Sequence, residues 1–350
     1  MKHKLLLTCP LTPKGHSKVN NFFYYTLQEK YNVDYIDANS FTTDRVKFHT
    51  LLWASRKYIE HNRFSVRILY ALRKFSILPK LKNYDVILFL SFEIISLFLI
   101  SGIIKYVAKQ KKIYFLVSNQ LDEVHSSRLK KALFSKMSSN FTWLVKEPHM
   151  LEFAKEVFPY ADFQIVLRNI NCVNGSVKES RLKRTIISAA NDRKIILCPS
   201  KTSSDFEHVK TAINNRASNY FYVILSQEMY FKDRNDTITI SDFLSNEDFE
   251  SLFEIANIIW LPYKKSFKYR SSSLLMEVMR YKKPIVAREI ETFKYYHSLY
   301  KIGEMYDSYD ELYSSFEKAI SNPSRYQFDQ IIADHSDPQV KKDLLAKIKV

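Results

Sequence analysis

The sequence predicts an α/β protein with two doubly wound parallel sheets that face a cleft. Short apolar runs rich in β-branched and aromatic residues alternate with longer segments of helical spacing, which is typical of parallel strands covered by helices on both faces. The alternation restarts near residue 194, so the 350 residues divide into two units. With 46% hydrophobic residues the chain can build two cores, which excludes a disordered or fibrous protein.

Each half of the sequence contains six predicted buried strands. In the first half they are Lys4–Cys9, Val33–Asp37, Asp85–Ser91, Lys112–Ser118, Phe141–Lys146 and Phe163–Leu167. In the second half they are Lys194–Cys198, Tyr220–Ser226, Thr237–Ile240, Ile258–Leu261, Pro284–Ala287 and a short strand near Met305. We therefore assign 1–170 to an N-terminal domain with a basic helical insertion at 40–82, 171–192 to a linker, 193–325 to a C-terminal domain and 326–350 to a helical tail.

One segment is hydrophobic enough to suggest a membrane span. Val86–Ile104 is the most apolar run of the chain, and it reaches the length of about 20 residues that a transmembrane helix needs. However, Asp85 precedes the run and Glu93 lies in its middle, where a charge costs about 2.5 to 3.5 kcal/mol on insertion into a bilayer. We therefore predict a buried strand followed by a helix, with a membrane span as the alternative.

The positive charge is concentrated in one segment. The chain carries a net charge of +16, and residues 45–82 alone contain ten lysine or arginine residues and one acidic residue, Glu60. Apolar side chains are interleaved with these charges, as in helices that lie on an anionic membrane surface. Ordinary helices with solvated lysines and a nucleic-acid contact are the alternatives. Since no nucleic-acid recognition module is visible, we predict that 45–82 contacts an anionic membrane surface and that nucleic acid is not a partner.

Two rare residue types exclude further classes of site. The 4 glycines, Gly15, Gly102, Gly175 and Gly303, lie far apart, so a glycine-rich phosphate-binding loop is excluded. The 3 cysteines are widely spaced and show no metal-ligand pattern. Such cysteine usage is typical of a reducing compartment and predicts a cytoplasmic protein.

Ligands of open α/β sheets bind beyond the carboxyl ends of the strands, so the loops that follow strands are the first places to search. The loop after the first strand contains Gly15, which allows close backbone approach, and His16. The loop after the first strand of the second half contains Ser200 and Lys201 just before a helix, where N–H groups, the helix dipole and an ammonium can bind an anion. A capped helix beside a solvated lysine explains this second loop equally well.

The strongest candidate site follows the predicted strand Ile258–Leu261. A basic loop comes first, then three serines at the start of a helix, and a glutamate within that helix. Serine hydroxyls and helix N–H groups suit phosphate oxygens, a cation supplies charge and a carboxylate suits ribose hydroxyls, so the pattern fits a nucleoside diphosphate. A capped helix with an exposed glutamate is the alternative. The residues are Lys264, Lys265, Arg270, Ser271, Ser272, Ser273 and Glu277.

The same region resembles a known family. The run LPY at 261–263, the serines, LLMEVM at 274–279 and KKPIVA at 282–287 are similar to the donor-binding signature of the group 1 (family 4) glycosyltransferases. Segments that resemble other parts of this family follow the expected order at 164–171, 194–201 and 237–257. The resemblance implies the GT-B fold, which consists of two Rossmann-like domains.

The resemblance also implies an activity. A retaining glycosyltransferase of this type moves a sugar from a nucleotide-sugar donor to a glycan or polyprenyl-linked acceptor, here held mainly by the N-terminal domain, in bacterial-type surface polysaccharide synthesis. Because the nucleoside diphosphate leaves with developing negative charge, preorganised cations are the main requirement. The resemblance places Lys201 at the family's diphosphate-binding base. We expect Lys201 and Arg270 to supply this charge, with Ser200, Ser271, Ser272, Ser273 and Lys264 or Lys265 in support.

Three further positions follow from the family pattern. Glu277 corresponds to the second of two glutamates eight positions apart and is expected to hold the ribose, while Tyr269 stands at the position of the first. His16, beside Gly15, is expected to face the acceptor or the donor sugar. A histidine that often follows the fourth N-domain strand is replaced by the stretch Ser118, Asn119 and Gln120.

The chemistry predicted for this site needs no cofactor. No pair of carboxylates occupies a metal-binding spacing, and cationic side chains can neutralise a diphosphate, so we expect no metal. We expect a peripheral protein at the inner face of the membrane. Two alternatives stay open: a nucleotide-sugar or glycan-binding protein of the same fold without catalysis, and a membrane-anchored protein that uses 86–104 as a span.

Overall fold

The computed structural model describes most of the chain and separates it into two compact units. The described residues are 2–10, 17–37, 72, 74–170, 180–200, 204–214, 219–226, 231, 234–242 and 244–350. The first unit comprises Met1–Leu167, Tyr269–Ser271 and Val340–Val350, and the second comprises Arg168–Lys268 and Ser272–Gln339. Of the residues that the sequence singles out, Gly15, His16 and Lys201 lie outside the described part, as do 40–71 and Arg73 of the basic insertion.

The first unit contains a six-stranded, all-parallel sheet in the order β2-β1-β3-β4-β5-β6. Successive residues of β1 alternate between the two faces, because Leu6 joins one apolar cluster while Leu5 and Leu7 join the other. Both faces are therefore buried, as parallel sheets require. The strands are β1 Lys4–Cys9, β2 Asn32–Asp37, β3 Val86–Phe89, β4 Lys112–Leu116, β5 Thr142–Val145 and β6 Asp162–Ile165.

Helices cover the two faces of this sheet. One face packs against α2, α3, α5 and α6, and the other packs against α1 and the last helix of the chain, α14. In α14, Leu344 is buried, and beyond it Ile348 is buried too and accepts a 2.7 Å hydrogen bond from the Tyr31 hydroxyl through its carbonyl. The helices are α1 Ser17–Gln28, α2 over 74–81, α3 Ile94–Val107, α4 Gln120–Ser126, α5 Arg128–Ser138, α6 Pro148–Val157 and α14 Asp337–Lys347.

The second unit repeats the architecture with the strand order β12-β11-β10-β7-β8-β9, again all parallel. Its strands are β7 Lys194–Cys198, β8 Tyr220–Leu225, β9 Thr237–Ile240, β10 Ile258–Leu261, β11 Ile285–Arg288 and β12 Gly303–Tyr306. Its helices are α7 Arg181–Ala190, α8 Phe206–Asn214, α9 Asn246–Ile255, α10 Ser273–Met279, α11 Glu291–Tyr300, α12 Tyr309–Ser321 and α13 Asp329–Asp334, with a short 3-10 helix at Pro323–Arg325. The predicted fold class of two doubly wound parallel sheets is thus confirmed.

The predicted division of Val86–Ile104 into a strand and a helix is confirmed. It forms β3 and most of α3, and Glu93 caps that helix by accepting a hydrogen bond from the Ser96 amide at 2.7 Å. The alternative of a membrane span at 86–104 is wrong, because β3 pairs with β1 and β4 in the sheet. Among the residues that the structure describes, no helix combines the length and the apolar character that crossing a membrane requires.

Lys74 is an unusual member of the core, because it is fully buried between α2 and α3. Its ammonium donates a 2.7 Å hydrogen bond to the Ser96 hydroxyl. Burial lowers the pKa of Lys74 to about 7, and the attraction of Glu93 opposes this shift. The lysine therefore holds α2 against α3 through a polar contact inside an apolar layer, and its charge depends on pH near neutrality.

Substituting alanine for each of two glycines in regular elements should change the free energy of unfolding in opposite directions. A Cβ at Gly102, inside α3, meets nothing within 4 Å, whereas a Cβ at Gly303 in β12 would lie 1.8 Å from the Ile285 carbonyl oxygen. We expect Gly102→Ala to raise the free energy of unfolding by up to about 1 kcal/mol through helix propensity. Gly303→Ala should lower it, because the β11 backbone must move. Chemical denaturation of both variants checks this, and a stabilising Gly303→Ala would contradict the strand contact.

The pH dependence of stability should report on Lys74. Because its pKa is about 7 in the folded protein and about 10.5 in an unfolded chain, the unfolded state binds more protons between these values. The free energy of unfolding should therefore rise as pH increases from about 7 towards 10. Lys74→Met should remove this part of the rise, and the exposed Lys82→Met is the control. Denaturation at several pH values measures it; an identical slope in Lys74→Met and wild type would refute the assignment.

Candidate functional site

The second sheet has a topological switch point between β7 and β10. From β7 the chain proceeds to β8 and β9 on one side, and β10, β11 and β12 extend the sheet on the other. The chain therefore continues to opposite sides of the sheet after β7 and after β10. Open α/β sheets bind their ligands at the carboxyl ends of two such strands. The Asp205 amide donates a 2.8 Å hydrogen bond to the Pro262 carbonyl, and Ser204 forms an antiparallel bridge with Tyr263. Both loops with predicted donor residues are thus held together at this edge.

The described ends of the loop after β7 are buried. Cys198 ends the strand, and burial raises the pKa of its thiol to about 12, so it is a neutral thiol at physiological pH. Its Sγ lies 3.7 Å from the Ser204 hydroxyl. Ser200 is also buried. The loop that contains Lys201 therefore leaves and rejoins the fold at fixed points, and the roles predicted for Ser200 and Lys201 stay predictions.

The loop after β10 presents cations. Lys264 and Lys265 are both exposed, and the Lys265 ammonium lies 3.3 Å from a carboxylate oxygen of Asp307, which follows β12. Between them and α10, Phe267 is buried and its ring stacks on Tyr263 with centroids 4.9 Å apart. This aromatic anchor keeps the basic loop at the carboxyl edge of the sheet.

The three serines before and at the start of α10 have different environments. Ser272 is buried, accepts a 3.0 Å hydrogen bond from the Leu275 amide as N-cap, and lies 2.7 Å from the Tyr263 hydroxyl. Its hydroxyl therefore caps the helix, and the phosphate contact predicted for Ser272 stays a prediction. Ser271 is half-buried and Ser273 is exposed, so they remain candidates for phosphate contacts.

Glu277 lies one turn into α10 beside a buried arginine. The Arg280 guanidinium lies 2.8 Å from Glu250 and 3.7 Å from Glu277, and it stacks over the Tyr281 ring at 4.7 Å. The Glu277 side chain is 28% exposed. Arg280 thus orients the carboxylate while part of it stays open to a ligand, and the predicted ribose contact stays a prediction.

Arg270 has a carboxylate partner that the sequence did not indicate. Tyr269–Ser271 belongs to the first unit, where Arg270 Nε and the Tyr269 amide both donate to Asp122 in α4. The Tyr269 ring stacks on Phe153 with centroids 3.8 Å apart. The predicted cation at Arg270 is therefore partly neutralised by an ion pair, and the residue in place of the family's first glutamate is an aromatic anchor.

Other polar side chains lie near Asp122 at the carboxyl ends of β4 and β5. Burial lowers the pKa of His149 to about 4, although the Asp122 charge favours its protonation, so His149 is neutral at pH 7. The Lys146 ammonium donates a 2.8 Å hydrogen bond to the Ser118 hydroxyl. The sequence signal for this cluster is its position at or just beyond the carboxyl ends of two predicted strands.

A second cluster missed from the sequence connects β11 to α8. Arg288, the last residue of β11, donates a 2.8 Å hydrogen bond from Nη1 to the Asp205 carboxylate. The ring of His208 stacks on Tyr309 with centroids 4.7 Å apart, and burial together with the Arg288 charge lowers the pKa of His208 to about 4. Since Asp205 directly precedes α8, this ion pair fixes the helix that follows the loop containing Lys201. Arg288 follows KKPIVA, so its position after a strand was the available signal.

A metal centre is not apparent in the described ranges. There, no group of three or more histidine, cysteine, aspartate or glutamate side chains could hold a metal ion. The expectation of metal-independent chemistry stays a prediction.

Known proteins resemble the chain in structure. It has a TM-score of 0.67 with HepE from Anabaena in complex with UDP-glucose, at 11% identity over 99% of this chain and 100% of that one. Sucrose-phosphate synthase from Thermosynechococcus elongatus has a TM-score of 0.64 at 10% identity, over 98% of this chain and 95% of that one. Trehalose 6-phosphate synthase from Burkholderia multivorans has a TM-score of 0.68 at 8% identity, over 99% of this chain and 96% of that one. No protein-family model and no curated protein matches the sequence.

The different environments of Ser272 and Ser273 should give their alanine variants different free energies of unfolding. Ser272→Ala should lower the free energy of unfolding by about 1 to 3 kcal/mol, because it removes a helix cap and leaves the buried Tyr263 hydroxyl without its partner. Ser273→Ala removes an exposed hydroxyl and should change it by less than about 0.5 kcal/mol. Urea denaturation of both variants makes the comparison; equal stabilities would show that the cap contributes nothing.

The similarities to HepE, sucrose-phosphate synthase and trehalose 6-phosphate synthase, at 8% to 11% identity, show the fold alone. Two six-stranded parallel sheets with flanking helices are the two Rossmann-like domains of the GT-B glycosyltransferases, as the sequence resemblance implies. The chain therefore has the GT-B fold.

Proposed function

We propose that the protein is a glycosyltransferase that moves a sugar from a nucleotide-sugar donor to a glycan or lipid-linked acceptor. The observation that carries this proposal is the switch point of the second sheet, where the loops after β7 and β10 are held together by the Asp205 to Pro262 hydrogen bond. The donor residues suggested by the sequence follow these same two strands. The GT-B fold supports the same assignment.

The described residues support binding of a nucleoside diphosphate by the second unit. Lys264 and Lys265 are exposed cations beside the edge of the sheet. Ser273 is exposed at the first turn of α10 and Glu277 is held by Arg280 on the same helix. In this arrangement cations and hydroxyls contact the diphosphate and Glu277 accepts hydrogen bonds from the ribose. Lys201, outside the described residues, supplies further charge.

The proposed reaction is a substitution at the anomeric carbon of the donor sugar. The bond between this carbon and the diphosphate oxygen breaks, and the electron pair leaves with the diphosphate. A bond to the acceptor hydroxyl oxygen forms, and the proton of that hydroxyl passes to an oxygen of the leaving diphosphate. The protein accelerates the step chiefly by placing positive charge where negative charge develops on the leaving group. We propose retention of configuration and no metal, with His16 and Arg270 as catalytic residues.

A uridine diphosphate donor is the first to test. HepE has been crystallised with UDP-glucose, with UDP, and with UDP and glucose. A trehalose-phosphate synthase from Burkholderia xenovorans, described as UDP-forming, has been crystallised with glucose-6-phosphate. For this chain we propose a polyprenyl-linked or glycan acceptor in surface polysaccharide synthesis, at the cytoplasmic face of the membrane, with 45–82 as a membrane contact.

One observation favours a second candidate function. Tyr269 replaces the first glutamate of the family pattern, and its ring is stacked on Phe153. A protein that binds nucleotide-sugars or glycans without transferring sugar would tolerate this replacement. Release of nucleoside diphosphate from donor, with and without acceptor, separates the two functions: a donor that binds and is never consumed favours the binding protein.

The donor site can be tested by calorimetric titration with UDP, GDP and CMP. Glu277→Gln should weaken binding of the preferred nucleotide about tenfold to a hundredfold, because a carboxylate accepts stronger hydrogen bonds from ribose than an amide does. Lys201→Ala should weaken it as well through lost charge. Glu156→Gln in α6, an exposed residue of the first unit, removes the same charge elsewhere and should leave the affinity unchanged.

Stability must be measured alongside, since Glu277 lies close to Arg280. A loss of affinity with unchanged denaturation supports the ribose contact. Unchanged affinity in both Glu277→Gln and Lys201→Ala would overturn the donor site.

A further inference from the structure

Three helices lie side by side on one face of the first sheet. Their inner sides belong to the same apolar cluster, with Ile77 from α2, Ile100 from α3 and Phe134 from α5. Lys74 of α2 donates to Ser96 of α3, and Lys105 of α3 donates a 2.7 Å hydrogen bond to Asn140, just after α5. Because their inner sides are fixed against one sheet, their outer sides share one surface.

This outer surface is apolar where a helix of a soluble protein is normally polar. Leu99, Ile103 and Tyr106 recur at the spacing of one helical face of α3, and the first and last are 65% and 82% exposed. Phe75 on α2 and Leu129 on α5 are exposed as well. We call these five residues the outer apolar face. Gly102 lies on the same side of α3, and a Cβ there meets no atom within 4 Å, so the face is open.

The charged residues within these three helices have one sign, although Glu93 caps α3 and Glu123 of α4 pairs with Lys130 of α5. None of the three helices contains an aspartate or glutamate, whereas α6, on the same side of the sheet, contains Glu152 and Glu156. The three helices and the residue two positions after α3 instead carry lysine and arginine side chains that are exposed or half-buried: Lys80, Lys105, Lys109, Arg128, Lys131 and Lys136. Exposed apolar side chains within a positive rim match an anionic lipid surface, where the former enter the boundary of the acyl chains and the latter contact phosphates.

We propose that the outer apolar face docks the protein on an anionic phospholipid bilayer. A second copy of the chain fits less well, because pairing the face with itself would oppose two positive rims. This surface is separate from the predicted membrane segment 45–82 except for α2, and it stands on α3 and α5. The inference does not depend on the donor or on catalysis.

The test is co-sedimentation of the full chain with vesicles of phosphatidylcholine alone or with about 30% phosphatidylglycerol. Binding should need the anionic lipid and should weaken as salt is raised, because the lysine contribution is screened. The variant Leu99→Gln/Ile103→Gln/Tyr106→Gln should lower the partition coefficient at least tenfold. The controls Tyr160→Gln and Leu299→Gln remove exposed apolar side chains that do not belong to these three helices and should bind like wild type.

A labelled variant gives an independent readout in a protein with the face intact. A polarity-sensitive fluorophore on Gly102→Cys, with Cys172→Ser, should shift to the blue on anionic vesicles, while the same label on Ser298→Cys should not shift. Cys9 and Cys198 are buried and should not react in the folded protein.

Equal binding of the triple variant and wild type, together with an unshifted Gly102→Cys label, would overturn the proposal. It would also be overturned if binding occurred equally on pure phosphatidylcholine, or if the triple variant abolished a dimer in sedimentation velocity while wild type bound no vesicles. Because no donor is added, these results are separate from the proposed function: loss of UDP binding with intact vesicle binding would refute only the transferase.

Discussion

The second unit depends on how two loops far apart in sequence are joined at the switch point of its sheet. The loop after β7 and the loop after β10 are tied by a backbone hydrogen bond from Asp205 to Pro262. Tyr263 then reaches the Ser272 cap of α10, and Arg288 at the end of β11 holds Asp205 in place. Strand ends, helix starts and the basic loop therefore form one connected network, and changes to any of these polar contacts disturb the others.

The spacing of apolar residues and the composition of short segments predict the strands of this protein well. Parallel strands buried on both faces are short continuous apolar runs, and each of the twelve predicted runs overlaps a strand of the structure. Their ends are less predictable. The predicted strand Asp85–Ser91 is observed as Val86–Phe89, although Asp85 and Leu90 on either side still donate backbone hydrogen bonds to Lys4 and Thr8 of β1.

The polar partners of the site are much harder to predict. Ser272 belongs to a run of three serines, and no local pattern distinguishes it from its neighbours. In the structure its hydroxyl contacts the buried Tyr263 hydroxyl and caps α10. Asp122 and Arg270 are distant in sequence, and no local pattern pairs them. Likewise Arg288 and Asp205 are joined by sheet order and not by spacing. Chemical type and position after a strand identify candidate loops, while pairing of charges depends on the three-dimensional arrangement.

The last helix adds a consequence for how the chain is made. Leu344 of α14 and Ile348 just beyond it complete the apolar cluster beneath β1 and β3, and the Ile348 carbonyl accepts the Tyr31 hydroxyl. The part of this face that Leu344 and Ile348 cover therefore stays exposed during synthesis until these two residues emerge, after the whole second unit. The first unit cannot finish folding in the order of its sequence. A fragment cut near residue 167 would lack Leu344 and Ile348 from the apolar cluster that contains Leu5, Leu7 and Leu88, so an isolated first unit needs residues 340–350 supplied as well.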